Sequence, residues 1–369
     1  MKIVLFAIGA ILVAATVMSR IRSGLWWVRV TDFPRLQIAV ALAATLVLFT
    51  LLYGISWGFE TLFPIALLLA IGYQLFRIFP YLPVAPKQVL RASSVDRNRS
   101  IRLLISNVLI ENRRSDDLIK LIAETDPDLV LAVETNAWWD EKLRVLDSEF
   151  PHTIKRPQEN CYGMHLFSRL ELVSPELRYL VEEDIPSIRT SVRLRSGELI
   201  DFFGLHPRPP DPGQDTEERD AEILMVAREI KANPSSAIIA GDLNDVAWSH
   251  TTRLFQRISG MLDPRRGRGM FSTFHASYPI FRWPLDHIFH EASFTLIHLE
   301  RLRSIGSDHF PVLAELQFQP EVADRQEAPE ADDDDRAESR EKVNAGAEAA
   351  LRDDKSPVGG KAPAAHPHP

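Results

Sequence analysis

Carboxylates, amides and imidazoles recur at the ends of short apolar runs in this 369-residue chain, and that placement gives them chemical potential. The run Ile238-Ile239-Ala240 stops at Gly241 and is followed by Asp242-Leu243-Asn244. Residues two apart on extended chain share a face. Asp242 and Asn244 therefore pair a carboxylate that can position a water nucleophile with an amide that can donate to a phosphate oxygen. Gly-Asp-x-Asn is also good turn chemistry, so the tetrapeptide alone suits either role. Asp308-His309 enters a second run, 312–316, and joins a hard oxygen ligand to an imidazole able to hold phosphate or move a proton. A related pair, Asp286-His287, opens the run 287–289. Asn107 closes a run that starts at 101, and Glu134 follows the run 129–133. A carboxylate there is costly to hold without a cation or hydrogen bonds. Magnesium takes few protein ligands and keeps several waters, so Glu134 helped by Asn107 and Asp308 would satisfy it.

Positioning these groups requires strands that end together. Strands are expected at 101–105, 129–133, 199–205, 237–240, 287–289 and 312–318, and amphipathic helices at 116–123 and 216–230. The alternation predicts a buried sheet flanked by helices.

In order and approximate spacing, Ser106-Asn107, Val133-Glu134, Gly204-Leu205-His206, Gly241-Asp242-Leu243-Asn244, Leu285-Asp286-His287 and Ser307-Asp308-His309 resemble the endonuclease/exonuclease/phosphatase superfamily. The resemblance covers about 102–319. It implies a four-layered α/β sandwich of the deoxyribonuclease I-like kind and a magnesium-dependent (manganese possible) hydrolase of phosphoester bonds. It further implies roles: Glu134 on the metal with Asn107, Asp308 at or near the metal, Asp242 aligning water beside Asn244, and His309 on the scissile phosphate. Asp286 would orient His309, and His206 would lie near the leaving oxygen as an acid. Arg189 and the basic loop Arg265, Arg266 and Arg268 are secondary candidates for phosphate contact, and Pro207-Arg208-Pro209-Pro210 either lines the site or turns the chain.

The two ends of the chain differ from this middle. Uncharged apolar runs at 3–18, 36–53 and 62–76 predict an anchor of three transmembrane helices over 1–82, the third reaching spanning length if extended back across Trp57 and Phe59. A signal peptide is the competing identity of the first run. Trp26, Trp27, Trp57, Tyr73 and Tyr81 fit the membrane–water boundary. Arg20, Arg22, Arg29 and Arg35 crowd the first loop while the second carries Glu60, which puts the first loop in the cytoplasm by charge; a cleaved first run would change the count and with it the face of the catalytic domain. The expected location is the cell membrane, multi-pass. Residues 83–100 are expected as a linker, and 320–369 as a disordered acidic tail, in which His366 and His368 could bind metal adventitiously.

A net charge of -8 argues against a general polyanion-binding surface without excluding nucleic acid. The single cysteine, Cys161, rules out an internal disulfide and a multi-thiolate zinc site and is expected to be inert. The expected partners are a lipid bilayer and a phosphoester substrate. A nucleic acid and a lipid-headgroup or polyprenyl-pyrophosphate phosphoester both fit, and no protein partner is inferable. A non-catalytic membrane binding or scaffold protein is the alternative class, disfavoured because every polar position of the pattern holds a competent residue.

Overall fold

The computed structural model describes residues 1–54, 61–210 and 212–354; Trp57, Phe59, Glu60, His366 and His368 lie outside them. The chain opens with α1 (Lys2–Met18), α2 (Trp26–Arg29), α3 (Arg35–Tyr53) and α4 (Leu62–Ile78). β1 (Ser100–Asn107), α5 (Ser115–Thr125), β2 (Leu129–Val133), α6 (Ala137–Leu143), β3 (His152–Arg156) and β4 (Met164–Ser168) follow. Next come β5 (Glu171–Arg178), β6 (Ser187–Arg193), β7 (Leu199–Leu205), α7 (Glu217–Ala232), β8 (Ala237–Asp242) and α8 (His250–Ser259). β9 (Asp286–His290), β10 (Phe294–Arg301), β11 (Val312–Phe318) and α9 (Asp333–Asp354) complete the chain.

Two sheets form, ordered β10-β11-β1-β2-β4-β3 and β5-β6-β7-β8-β9. Side-chain alternation makes them a sandwich. On β1, Leu103 and Ile105 join Phe202, Ile238 and Ile288 in the core between the sheets, whereas Leu104 turns outward to Leu118, Leu121 and Trp139 of α5 and α6. On the second sheet Phe203 and Ile239 turn outward to Ile223 and Leu224 of α7 and Leu254 and Phe255 of α8. The layers thus run helix, sheet, sheet, helix, the expected four-layered α/β sandwich.

The expected elements recur with small changes of boundary, while β3, β4, β5, β6, β10, α6 and α8 had no counterpart in the expectation. β5, with Glu171, Pro175 and Glu176 and a register shift between Val173 and Glu176, is an edge strand, where charge and proline are tolerated and periodicity fades. α8 carries its signals at its ends: the Ser249 side chain accepts from Thr252 N, and Gly260 closes it at φ +78°.

Three expectations about the ends need correction. The tail is not wholly disordered, because α9 packs on α7. Composition understated it: α9 docks through ion pairs, Asp335 to Arg257 at 2.7 Å and Lys342 to Asp220 at 2.8 Å, through a Glu338–His250 hydrogen bond at 2.6 Å, and through Gly346, where a Cβ would lie 2.3 Å from that of Ala221. Residues 83–100 are not a free linker. Leu90 and Ala92 bond to Leu296 of β10, and Asp96 N donates to the Gln317 side chain at 2.7 Å. The third apolar helix lengthens forward, through Ile78 to Tyr81.

By length and composition, Arg35–Tyr53 and Leu62–Tyr81 could each cross a membrane, whereas Lys2–Met18 falls short of that length. α1, α3 and α4 pack around Leu42, Leu67 and Ala70 and leave Ile3, Ile11, Leu51, Leu69 and Phe76 exposed outside. Inside the bundle Arg35 donates to Gln74 at 3.0 Å, and Gln74 to Thr16 at 3.0 Å. The bundle also seats on the sandwich. Ile78 and Tyr81 share a core with Val246, Ala247, Trp248 and Leu285. The Tyr81 hydroxyl donates to the Ala247 carbonyl at 2.6 Å and the Trp248 indole to that of Asp32 at 2.7 Å, while Trp26 N donates to Asp215 at 3.0 Å.

Candidate active site

Register brings the polar groups together. Asn107 pairs with Val133 in the parallel β1–β2 ladder, so Glu134 emerges beside it. Asp242 pairs with Asp286 across β8–β9, and Leu205 pairs with Gly241, so His206 emerges beside Asp242. Val312 pairs with Ile105, which carries Asp308 and His309 to the same end of the first sheet. The close β7–β8 approach needs a glycine, since a Cβ on Gly241 (φ +145°) would lie 1.9 Å from the Leu205 carbonyl oxygen. Glu134 and Asn244 also adopt positive φ, 63° and 50°. For non-glycine residues this costs about 1–2 kcal/mol each and gathers at functional sites.

Glu134, His206, Asp242, Asn244, Asp308 and His309 line one cavity of about 1080 Å³. Asn107 and Asp286 stand behind it as supports. The Asn107 amide donates to Glu134 Oε1 at 2.7 Å and Asp242 Oδ2 at 3.1 Å. Asp286 Oδ2 lies 2.7 Å from His309 Nδ1, and His309 Nε2 lies 3.5 Å from Asp242 Oδ2. His206 Nε2 is 3.9 Å from the same oxygen. Asn244 N donates to Asp242 Oδ1 at 3.0 Å, while its side-chain amide donates to the Pro207 carbonyl at 2.9 Å. All eight expected residues therefore converge.

Burial divides their charges. It would drive the proton off His309, yet Asp286 and Asp242 outweigh it and hold this imidazolium well above the usual histidine range. Asp286 is pushed up by burial against the pull of His309. One proton is held in this pair, and the Asp242 carboxylate at the far nitrogen keeps it on the imidazole. His206 lacks such support: burial lowers it to about 4, so it is neutral at pH 7. It can offer an N–H hydrogen bond but carries no acid proton, which alters the role expected for it.

Glu134 is raised to about 8 by burial first and then by Asp308, partly offset by the Asn107 hydrogen bond. Four carboxyls, Glu134, Asp242, Asp286 and Asp308, the last half-buried, thus lie in or directly behind this cavity with a single imidazolium. That excess of buried oxygen donors fits a hard divalent cation. Donor atoms of Asp242, Asp286 and His309 lie within 4.8 Å of one another and form a second candidate set. Glu134, supported by the Asn107 amide, and Asp308 line the cavity as the other candidate set.

The secondary candidates resolve differently. Arg189 pairs with Glu229 at 2.9 Å on the surface, away from the cavity. Arg265 is buried on Asp263, His287 and the Asp286 carbonyl, and Arg268 donates to Pro264 and Val89 carbonyls, so this loop is internal scaffolding. Arg208 and Pro209 do line the cavity, and Arg208 is ion-paired with Glu182. Cys161, in the cavity wall, has its thiol pushed up to about 12 by burial, in keeping with an inert role.

Sequence reasoning missed Tyr162, whose ring lies 5.8 Å from that of His206, and Arg219. Arg219 is fully buried on α7, pairs with Asp220 and donates to the Asn244 carbonyl at 2.8 Å. A lone arginine within a run of acids on a helix gives no warning of burial. Arg219→Ala would remove the buried cation between Asp220 and Asp245, leaving Asp220 to Lys342 and Asp245 to hydroxyl donors, and is expected to lower unfolding free energy by about 3 kcal/mol, measured by urea titration.

A family model described as Endonuclease/Exonuclease/phosphatase family matches residues 104–309. No curated protein matches the chain. Similar solved structures include D. rerio TDP2 humanized by 14 mutations, at 16% identity and TM-score 0.51 over 59% of this chain and 99% of that one. D. rerio TDP2 complexed with single strand DNA product is similar at 17% identity and TM-score 0.50, over 59% and 99%. At these identities the likeness is one of fold.

Proposed function

Since this chain belongs to the Endonuclease/Exonuclease/phosphatase family, we propose that it is a membrane-tethered, divalent-metal-dependent hydrolase of phosphoesters. The observation that carries the proposal is Asp242, held by Asn107 at 3.1 Å and faced by His309 and His206 at 3.5 and 3.9 Å, in a cavity that also holds buried Glu134. Asp242 aligns the attacking water and takes up its proton. The His309 imidazolium, fixed by Asp286, donates to a non-bridging phosphate oxygen and offsets the charge that grows there. His206, neutral, offers an N–H toward the leaving oxygen, and Asn244 fixes the loop that carries Asp242. Glu134 and Asp308, with Asn107, would hold magnesium or manganese, which supplies charge neutralisation at the phosphoryl oxygens and a lowered pKa of bound water.

Nucleic acid and lipid-linked phosphate are the two substrate classes that fit. The single strand DNA product in the D. rerio TDP2 structure supports the first, and the tether supports the second by placing enzyme and lipid on one surface. A panel of single-stranded DNA, abasic DNA, phospholipid and polyprenyl pyrophosphate, each with magnesium and with excess chelator, separates them. Turnover of none, or full turnover in chelator, would count against the proposal.

For the tether, the ends of α1 and α4 and the start of α3 face the sandwich. The Arg-rich first loop contacts Asp215 and Trp248. That loop and the catalytic domain therefore share one side, the cytoplasmic one by the charge rule. A C-terminal reporter is expected to be active in the cytoplasm, and an externally exposed reporter would overturn this topology.

A further inference from the structure

Between the strand-like segment ending at Phe274 and β9, the chain makes a narrow hairpin, 275–283. Phe274 N donates to the Trp283 carbonyl at 3.0 Å, and His275 N to that of Phe281 at 3.0 Å. Its tip is apolar and turned to solvent: Tyr278 is 43%, Ile280 72% and Phe281 55% exposed. A hairpin tip of this composition is costly to leave in water, and nothing in the sandwich covers it.

Its location supplies the occupant. The Gln37 side chain, in the first turn of α3, donates to the Ile280 carbonyl at 2.6 Å, and the ring of Phe33 meets Trp283 edge-on at 5.9 Å. The tip therefore lies beside Leu36 and Val40, where the exposed apolar face of α3 begins. Between hairpin and helix is an open pocket of about 600 Å³ lined by Arg268, Arg282 and Arg301, with Glu300 the acid among its lining residues. Arg282 and Arg301 both lie over the Phe310 ring, 4.9 and 4.4 Å from its centroid, which holds their cations at the pocket wall. An aromatic and aliphatic tip backed by cations is the pattern that fits the boundary of an anionic bilayer, rings among the acyl chains and arginines at the headgroups.

We propose that hairpin 275–283 is a membrane finger: Tyr278, Ile280 and Phe281 enter the interface of an anionic phospholipid bilayer beside α3, and Arg282 and Arg301 face its headgroups. This rests on α3 and α4 being membrane-embedded. The finger is also continuous with the site. The Phe274 ring packs 5.0 Å from that of His309, and Ala276 N donates to the Asp308 carbonyl at 2.6 Å. The bilayer contact and the catalytic imidazole are thus held by one short segment, which sets the cavity at the membrane surface.

The test places an environment-sensitive fluorophore on the full chain in vesicles of phosphatidylcholine with phosphatidylglycerol. The Cys161→Ser background, which removes the only native thiol, carries either Ile280→Cys or Val47→Cys, the latter midway along α3. Ile280→Cys is expected to shift to the blue on reconstitution and to be quenched more by a nitroxide near the headgroup than by one near the chain end. Val47→Cys should show the opposite preference. Quenching at Val47 with none at Ile280 would overturn the finger while leaving the anchor intact. Quenching at neither would overturn the anchor itself. Protection of Ile280 in detergent that scales with protein concentration would assign the tip to a second copy and overturn the lipid assignment.

Discussion

Asp242→Asn is expected to lower turnover on the order of a thousand-fold with the fold intact, the magnitude of a lost general base. Asparagine keeps the volume and can still accept from Asn244 N, the 3.0 Å bond that shapes the loop, but it cannot take a proton from water. The loss should fall on kcat with little change in KM, since the contact matters when the nucleophile forms. His309→Gln should cost a similar factor. Glutamine is preferable to alanine there, because truncation would leave buried Asp286 without its imidazole partner and confuse a stability loss with a catalytic one. As Asp242, His309 and Asp286 act as one set of adjoining charges, the double variant should lose about as much as either single one. Melting curves matched to the parent establish that the fold survives. Unchanged turnover in a folded Asp242→Asn protein would remove the mechanism.

The second large effect concerns Glu134. At about 8 in the metal-free protein, it holds a proton that a cation must displace. Apparent magnesium affinity, measured by calorimetry, should rise roughly tenfold per pH unit up to about pH 8 and then level off. Stability has the opposite slope. The folded-state value is raised above the unfolded one, so the contribution of Glu134 is fully present below the ordinary glutamate range. It is lost as pH rises through about 8. In chelator the protein should therefore melt at falling temperature over that window, and magnesium should restore it most at the alkaline end. Glu134→Gln should abolish activity, weaken magnesium and flatten the pH dependence of metal-free melting. A steep alkaline loss persisting in that variant would assign the slope to another group.

Three of these groups were legible in the sequence because each follows the apolar end of a strand. Glu134 after 129–133, His206 after 202–205 and Asp242 after 237–241 are polar stops on buried ladders, and burial on both faces makes such runs conspicuous. β5 was not legible, since an edge strand answers to solvent on one side and alternates weakly. The Asn107–Asp242 contact was beyond sequence because it joins different strands, whereas the Asp286–His309 pairing was expected through the family resemblance alone. The protonation of the two histidines followed from burial and contacts together: His309 beside two carboxylates is held charged and His206 beside one is neutral. α9 was misjudged by composition, which counts apolar residues and not the charged partners waiting on α7 and α8.

Trp248 lies on the chain just beyond Asp242 and Asn244, and its indole rests against Tyr81 while bonding to the Asp32 carbonyl. The N-terminal helices are consequently part of the hydrophobic support of the catalytic loop and not a leash at its side. A fragment begun after Tyr81 would open a vacant seat under Val246, Ala247 and Leu285, leave the Ala247 carbonyl without its phenol, and loosen the residues that align the water. The N-terminal helices and the sandwich are in this sense one cooperative unit: the segment proposed as the tether also keeps the candidate site in register.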